Sequence, residues 1–257
     1  IPPLALSFWR WLIALAVVAP FGLPHVWRQR AQIGRHWGLL LILAALSVSA
    51  YNTLLYLAAH STTALNIALI NSAIPVVVLL LAGLLLRQPT SPRQLARIGV
   101  ALVGMLIIVG KGDLVALTTL RFSVGDMLMA VAVVVWGLYS VLLRRLPLQM
   151  HPVGFLTVLI VGGLLCLLPF YLWELASRGG IGPGMGQWPA FLYVGLFPSV
   201  LAYLCWNHGV HVLGPSVAAV FLYLMPVFAA ALAGCGHADA RLTGAAVGCG
   251  VVVNAER

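Results

Sequence analysis

The chain has 257 residues, of which 62% are apolar or aromatic and only 7% are charged, with a mean hydropathy of +1.07. Soluble domains carry about 25% charged residues, so this composition excludes a water-coated globule, excludes disorder, and leaves a polytopic membrane protein. The net charge of +9 sits in short gaps between apolar runs and forms no stripe or arm, which excludes a nucleic-acid partner and reports membrane orientation instead.

Apolar runs bounded by charge, Pro or Gly predict nine spans, at 4–23, 37–59, 64–86, 93–110, 123–143, 152–172, 188–208, 215–234 and 241–254. They are helices, because lipid cannot satisfy an unpaired backbone and barrel strands would alternate polar and apolar residues. The predicted fold class is therefore all-α, a polytopic membrane helix bundle. The run 241–254 reaches about 21 Å, short of a roughly 30 Å hydrocarbon core.

The first span opens within IPPLALSFWRW, which lacks the basic n-region and the cleavage site of a secretory signal. It carries Arg10, the only basic residue well inside a span. A central Arg costs about 2.5–3.5 kcal/mol on insertion scales, so it faces a cavity or a partner. Near a helix end it can instead snorkel to the headgroups. Both readings fit the sequence. Span 37–59 holds Tyr51, Asn52 and Tyr56, with Asn52 and Tyr56 at i and i+4 on one face. Pro75 lies in span 64–86 and Pro226 in span 215–234. Each removes a helix donor, so both are candidate gating hinges. His60 and His211 fall at span ends.

Span 123–143 brings Trp136, Tyr139 and Ser140 to i, i+3 and i+4, and span 188–208 holds Tyr203, Trp206 and Asn207. Unpaired amides and phenols in lipid would cost several kcal/mol each. They are expected to line a cavity or to bond across helices. No carboxylate is placed deep in a span: Asp126 lies near a helix start, while Glu174, Asp239 and Glu256 are read as loop residues. The four cysteines (Cys166, Cys205, Cys235, Cys249) sit in apolar stretches without CxxC spacing and read as small buried hydrophobes. The glycine-rich loop 178–187 follows no strand, so it is no nucleotide site.

Threading the nine spans places Arg28, Arg30, Arg35, Arg87, Arg93, Arg97, Arg144, Arg145 and Arg257 on one side, with Glu256 as the one acid there. The other side has Lys111, Arg121, Arg178 and Arg241 against Asp113, Asp126, Glu174 and Asp239. The positive-inside bias makes the first side cytoplasmic. Residue 1 then lies outside, and a helix preceding Ile1 is expected, giving both native termini a cytoplasmic position.

An internal repeat accounts for this. Trp37, His60 and Pro75 recur 151 residues later as Trp188, His211 and Pro226, and Asn52 and Tyr56 recur as Tyr203 and Asn207, the same types exchanged. Pro3, Pro20 and Phe21 recur 149 residues later, as Pro152, Pro169 and Phe170. The unit is five helices, the first copy lacking its first member in this chain, with halves 1–112 and 113–257. An odd number of spans inverts the second copy, the architecture of secondary transporters.

The stretches PPLALSFWRWLIAL, ALINSAIPVVVLLLAGLLL (68–86) and SPRQLARIGVALVGMLIIV (91–109), with VVVWGLYSVLLRR (133–145) and GPSVAAVFLYLMPVFAAALAG (214–234) in the second half, resemble the paired EamA-type units of the drug/metabolite transporter superfamily. The chain also resembles bacterial exporters of aromatic amino acids. It departs from the family where the Gly-Glu pair that commonly closes the fourth helix of each unit is replaced by LRQP (86–89) and GCGHAD (234–239). The resemblance implies a multi-pass protein of the bacterial inner membrane.

The expected function is export of small amphipathic metabolites, foremost aromatic or other apolar amino acids, by alternating access. The expected substrate contacts are Tyr51, Asn52, Tyr56, Trp136, Tyr139, Tyr203, Trp206, Asn207 and Arg10, around one central cavity. Aromatic rings hold an ammonium or stack on a ring. Drugs, nucleosides or purines are the alternative cargo. A channel and a membrane-embedded enzyme are lesser alternatives, since Ser–His–Asp, HExxH and acidic metal motifs are absent. No catalytic residue, metal or cofactor is expected. The partners are a small-molecule substrate and the lipid bilayer. With no acid deep in a visible span, obligatory proton or sodium coupling is not expected.

Overall fold

The structure is a computed structural model, described for residues 2–87, 92, 95, 96, 98–100, 103, 123–146, 150–178 and 187–224. Among the described residues every regular element is helical. Among the described residues six helices are long and apolar enough to cross a membrane: α1 (Pro3–Arg28), α2 (Trp37–Ala59), α3 (Asn66–Leu86), α4 (Val124–Arg144), α5 (Pro152–Ser177) and α6 (Trp188–Leu213). A shorter apolar helix, α7 (Pro215–Leu224), follows the left-handed Gly214. The starts of the predicted spans agree with these helices to within two residues. Span 241–254, Pro226, and the cysteines at 235 and 249 lie outside the described residues, as does most of span 93–110.

Three ends differ from expectation, and one of them is that of α6, which runs on to Leu213 beyond the predicted 208. Helix α1 runs on to Arg28 through Pro20 and Pro24, and the helix of α5 continues through Glu174. Charge was read as the end of a span, but helical backbone continues wherever its polar groups are met. Glu174 is therefore helical and buried rather than in a loop. Its carboxylate accepts the amides of Leu4 (3.5 Å) and Ala5 (2.8 Å), donors that the first turn of α1 cannot satisfy internally. A negative group at a helix N-terminus is also favoured by the helix dipole. Cys205 corrects another reading, since it is exposed rather than buried.

The chain forms two compact units, Ile1–Tyr56 with Leu142–Val212, and Leu57–Val141 with Leu213–Arg257. In the first, α1 and α5 run antiparallel in contact along their lengths. His25 stacks on His151 (3.9 Å), and Phe8 on Tyr171 (4.3 Å). At Gly22 a Cβ would lie 1.9 Å from Thr157 Oγ1, and at Gly163 of α5 one would lie 2.3 Å from Val48 of α2. Only glycine permits these approaches. In membranes, where hydrophobic burial does not drive helices together, close van der Waals packing over small residues does.

In the second unit, Asp126 in the first turn of α4 accepts from Thr62 Oγ1, Asn66 Nδ2 (3.0 Å), the Ser123 amide (2.7 Å) and Ser123 Oγ (3.1 Å). Ser123 and Asp126 form the reciprocal pattern of a capping box. Gly137 of α4 sits against Val77 and Leu81 of α3. Helix α3 is interrupted at Ser72 and Ala73, and Pro75 occupies the first turn of its second half.

Candidate substrate site

Two of the long helices in the first unit each contain a π-helical turn, Ala45–Ala50 in α2 and Phe197–Leu201 in α6. Such turns loosen the backbone ladder and recur at functional sites. In α6 the cause is visible. Pro198 has no N–H, so the Val194 carbonyl loses its usual donor. The hydroxyl of Ser199 donates to that carbonyl instead, at 2.8 Å. In α2 the Ser47 carbonyl accepts from Asn52 Nδ2 (2.8 Å) and from the Tyr203 hydroxyl (2.7 Å). Asn52 and Tyr203, 151 residues apart, also bond to one another at 3.2 Å.

Arg10 closes this network. Its Nε donates to Ser199 Oγ, and its Nη2 to the Pro198 carbonyl at 3.2 Å. Nη1 donates to Asn52 Oδ1 at 2.9 Å and to the Tyr56 hydroxyl at 2.7 Å. The guanidinium lies 5.1 Å from the Trp11 ring centroid, and Trp11 is fully buried with its ring edge-on to Tyr203. Arg10 itself is 4% exposed. The snorkelling reading is thus overturned: Arg10 turns inward and joins α1 to α2 and α6. A planar fork of five donors makes Arg suited to this, because four of its N–H groups meet separate acceptors. Four of its acceptors are a hydroxyl, an amide, a phenol and a carbonyl, each neutral. A carboxylate in their place would make shorter, bidentate, charge-assisted bonds.

The first unit thus brings Arg10, Asn52, Tyr56 and Tyr203 into one bonded group. Tyr51 and Asn207 are buried in the same unit, and Trp206 is half-buried there. Trp136 and Tyr139 belong to the second unit, buried with their rings 5.3 Å apart, and Ser140 donates to the Trp136 carbonyl at 2.8 Å. Sequence reasoning missed Ser47, Pro198 and Ser199. A Pro-Ser pair inside an apolar run was the available signal for the last two, since proline frees a carbonyl that a neighbouring hydroxyl can reach. His60 and His211 lie at the ends of α2 and α6, as expected, both exposed.

The model of the EamA-like transporter family matches residues 1–110 and 123–238. The chain belongs to the EamA-like transporter family. This EamA-like protein is 28% identical over 225 residues to the uncharacterized transporter YyaM of Bacillus subtilis, covering 88% of this chain and 74% of that one. It is 27% identical over 222 residues to a "Probable terminal-alkyne amino-acid exporter" of Streptantibioticus cattleyicolor, covering 86% and 70%. It is 25% identical over 206 residues to a riboflavin transporter of Brucella anthropi, covering 79% and 69%. One solved crystal structure superposes with a TM-score of 0.68 over 98% of this chain and 88% of the other, at 18% identity, a likeness of fold alone. This EamA-like chain is therefore a polytopic helical membrane transporter.

Proposed function

We propose that this transporter exports small amphipathic metabolites, foremost aromatic and other apolar amino acids, by alternating access. Arg10 is the observation that carries the reading. It is a buried guanidinium held by displaceable neutral acceptors on two neighbouring helices, which a substrate carboxylate can replace at Arg10 with stronger bonds. Tyr56, Asn52 and Tyr203 then serve the substrate's polar end, with Tyr51, Trp206 and Asn207 beside them. In the second unit the Trp136 and Tyr139 rings offer stacking faces. The amino-acid exporter among the relatives supports this cargo. The riboflavin transporter supports a second one, planar heteroaromatics such as flavins, nucleosides or purines.

The scaffold proposed with this function is a pair of inverted five-helix repeats, 1–112 and 113–257, in a bacterial inner membrane with the arginine-rich ends cytoplasmic. Pro75 and Pro226 are its hinges. Movement follows the substrate gradient without obligatory proton or sodium coupling. Proteoliposomes test the cargo and the coupling together. Efflux of radiolabelled phenylalanine, tryptophan and leucine is compared with that of riboflavin and adenosine. Saturable amino-acid efflux supports the reading, and efflux of riboflavin or adenosine alone replaces it with the second. Accumulation of amino acid under an imposed pH or sodium gradient refutes the absence of coupling.

A further inference from the structure

We infer that the arginine-rich end of the first unit binds one anionic phospholipid, its chains lying in a groove at the ends of α1, α2 and α5 and its phosphate on Arg28, Arg30 and Arg35. Two adjoining cavities open there, of about 580 and 360 Å³, and both are lined by Leu23 and Val26. Pro20 and Pro24 wall the first, alongside Trp27 and Arg28. The second runs between Trp37 and Leu41 of α2 and Val161 and Gly162 of α5. Neighbouring apolar cavities of this kind match the paired chains of a diacyl lipid.

The connecting helix Arg30–Arg35 closes the end of the groove. It sends Ile33 into the second cavity and leaves Arg30 and Arg35 exposed. Trp27 is 71% exposed and Trp37 66%, the placement of indoles at headgroup depth. The Arg30 guanidinium lies 4.8 Å over the Trp27 ring, which holds a positive charge flat at the mouth of the first cavity. Charge complementarity selects the headgroup. Residues 24–37 hold three arginines and two histidines, and no Asp or Glu precedes Asp113. Arginine forks match phosphate oxygens in bidentate geometry. A basic residue near an anionic lipid surface strengthens binding about fivefold, so three together give about 100-fold.

This site is independent of the transported cargo, and its test needs no transport. The detergent-purified chain is titrated with dioleoyl phosphatidylglycerol and, separately, dioleoyl phosphatidylcholine, and bound lipid is counted by native mass spectrometry. One phosphatidylglycerol is expected to remain bound at concentrations where phosphatidylcholine does not. Two variants separate the head from the chains. R28Q/R30Q/R35Q is expected to weaken phosphatidylglycerol binding about 100-fold. Val161→Trp fills the second cavity and leaves every charge in place; it is expected to weaken binding at least tenfold. Equal retention of the two lipids by the unmodified chain overturns the proposal. So does undiminished binding by Val161→Trp, which means the charges act on a bare surface. Displacement of the lipid by millimolar inorganic phosphate also overturns it, because the site is then one for free anions.

Discussion

Replacing Arg10 with Met separates recognition from stability. The substitution keeps an unbranched apolar stem and removes the guanidinium. It deletes the donors of four hydrogen bonds, to Ser199, Asn52, Tyr56 and the Pro198 carbonyl. In helix bundles in lipid such bonds average about 0.6 kcal/mol, so together they stabilise by about 2 kcal/mol. Removing a charge from the interior of a span recovers about 2.5–3.5 kcal/mol on insertion scales. Ser199 keeps its bond to Val194, and Asn52 keeps its bonds to Ser47 and Tyr203. The opposing effects cancel to within about 2 kcal/mol, or a change in Tm below about 8 °C. Transport behaves differently. A charge-assisted bond to a substrate carboxylate is worth about 1.5–3 kcal/mol, so amino-acid transport should fall tenfold to a hundredfold. Thermal unfolding in detergent and counterflow in proteoliposomes read the two effects separately. Wild-type counterflow in Arg10→Met would refute carboxylate recognition by Arg10. A drop in Tm above about 10 °C would show that the guanidinium holds the helices together.

Three other substitutions probe the packing and the second unit. Gly163→Ala places a Cβ 2.3 Å from Val48 and should cost about 1–3 kcal/mol as overpacking, read as a Tm several degrees lower in detergent. Asp126→Asn turns one acceptor oxygen into a donor beside Thr62, Asn66 and Ser123; with charge-assisted bonds lost, stability should fall by about 3 kcal/mol, read by the same unfolding assay. Trp136→Ala removes a stacking ring and should reduce counterflow of tryptophan more than that of leucine; equal losses would remove Trp136 from substrate recognition.

The helices were legible because lipid imposes one signal, a long apolar run, and nothing in the chain competes with it over residues 37–59 or 188–208. Ends were misjudged where a polar group has a private partner. Glu174 reads as the close of a span until its bonds to Leu4 and Ala5 are seen, and hydropathy carries no record of those amides. The pairing of Asn52 with Tyr203 was within reach, since the repeat offset links the two positions. The inward turn of Arg10 was not, because two of its partners, Ser199 and the Pro198 carbonyl, exist only through a π turn. Its alternative, a side chain reaching the headgroups, uses the same residues and the same helix.

The α1–α5 pair has a bearing on motion. Its fastenings run from Ala5 with Glu174, through Phe8 with Tyr171 and Gly22 with Thr157, to His25 with His151. From Ala5 to His25 that is about 30 Å along the helix, the whole hydrocarbon depth. Two rods pinned at both ends and between cannot shear without breaking several contacts at once, so they form a stator. Within the first unit the compliant parts are α2 and α6, whose π turns can exchange one carbonyl partner for the next and bend without emptying the ladder. The side chains that hold Arg10 hang from those two springs.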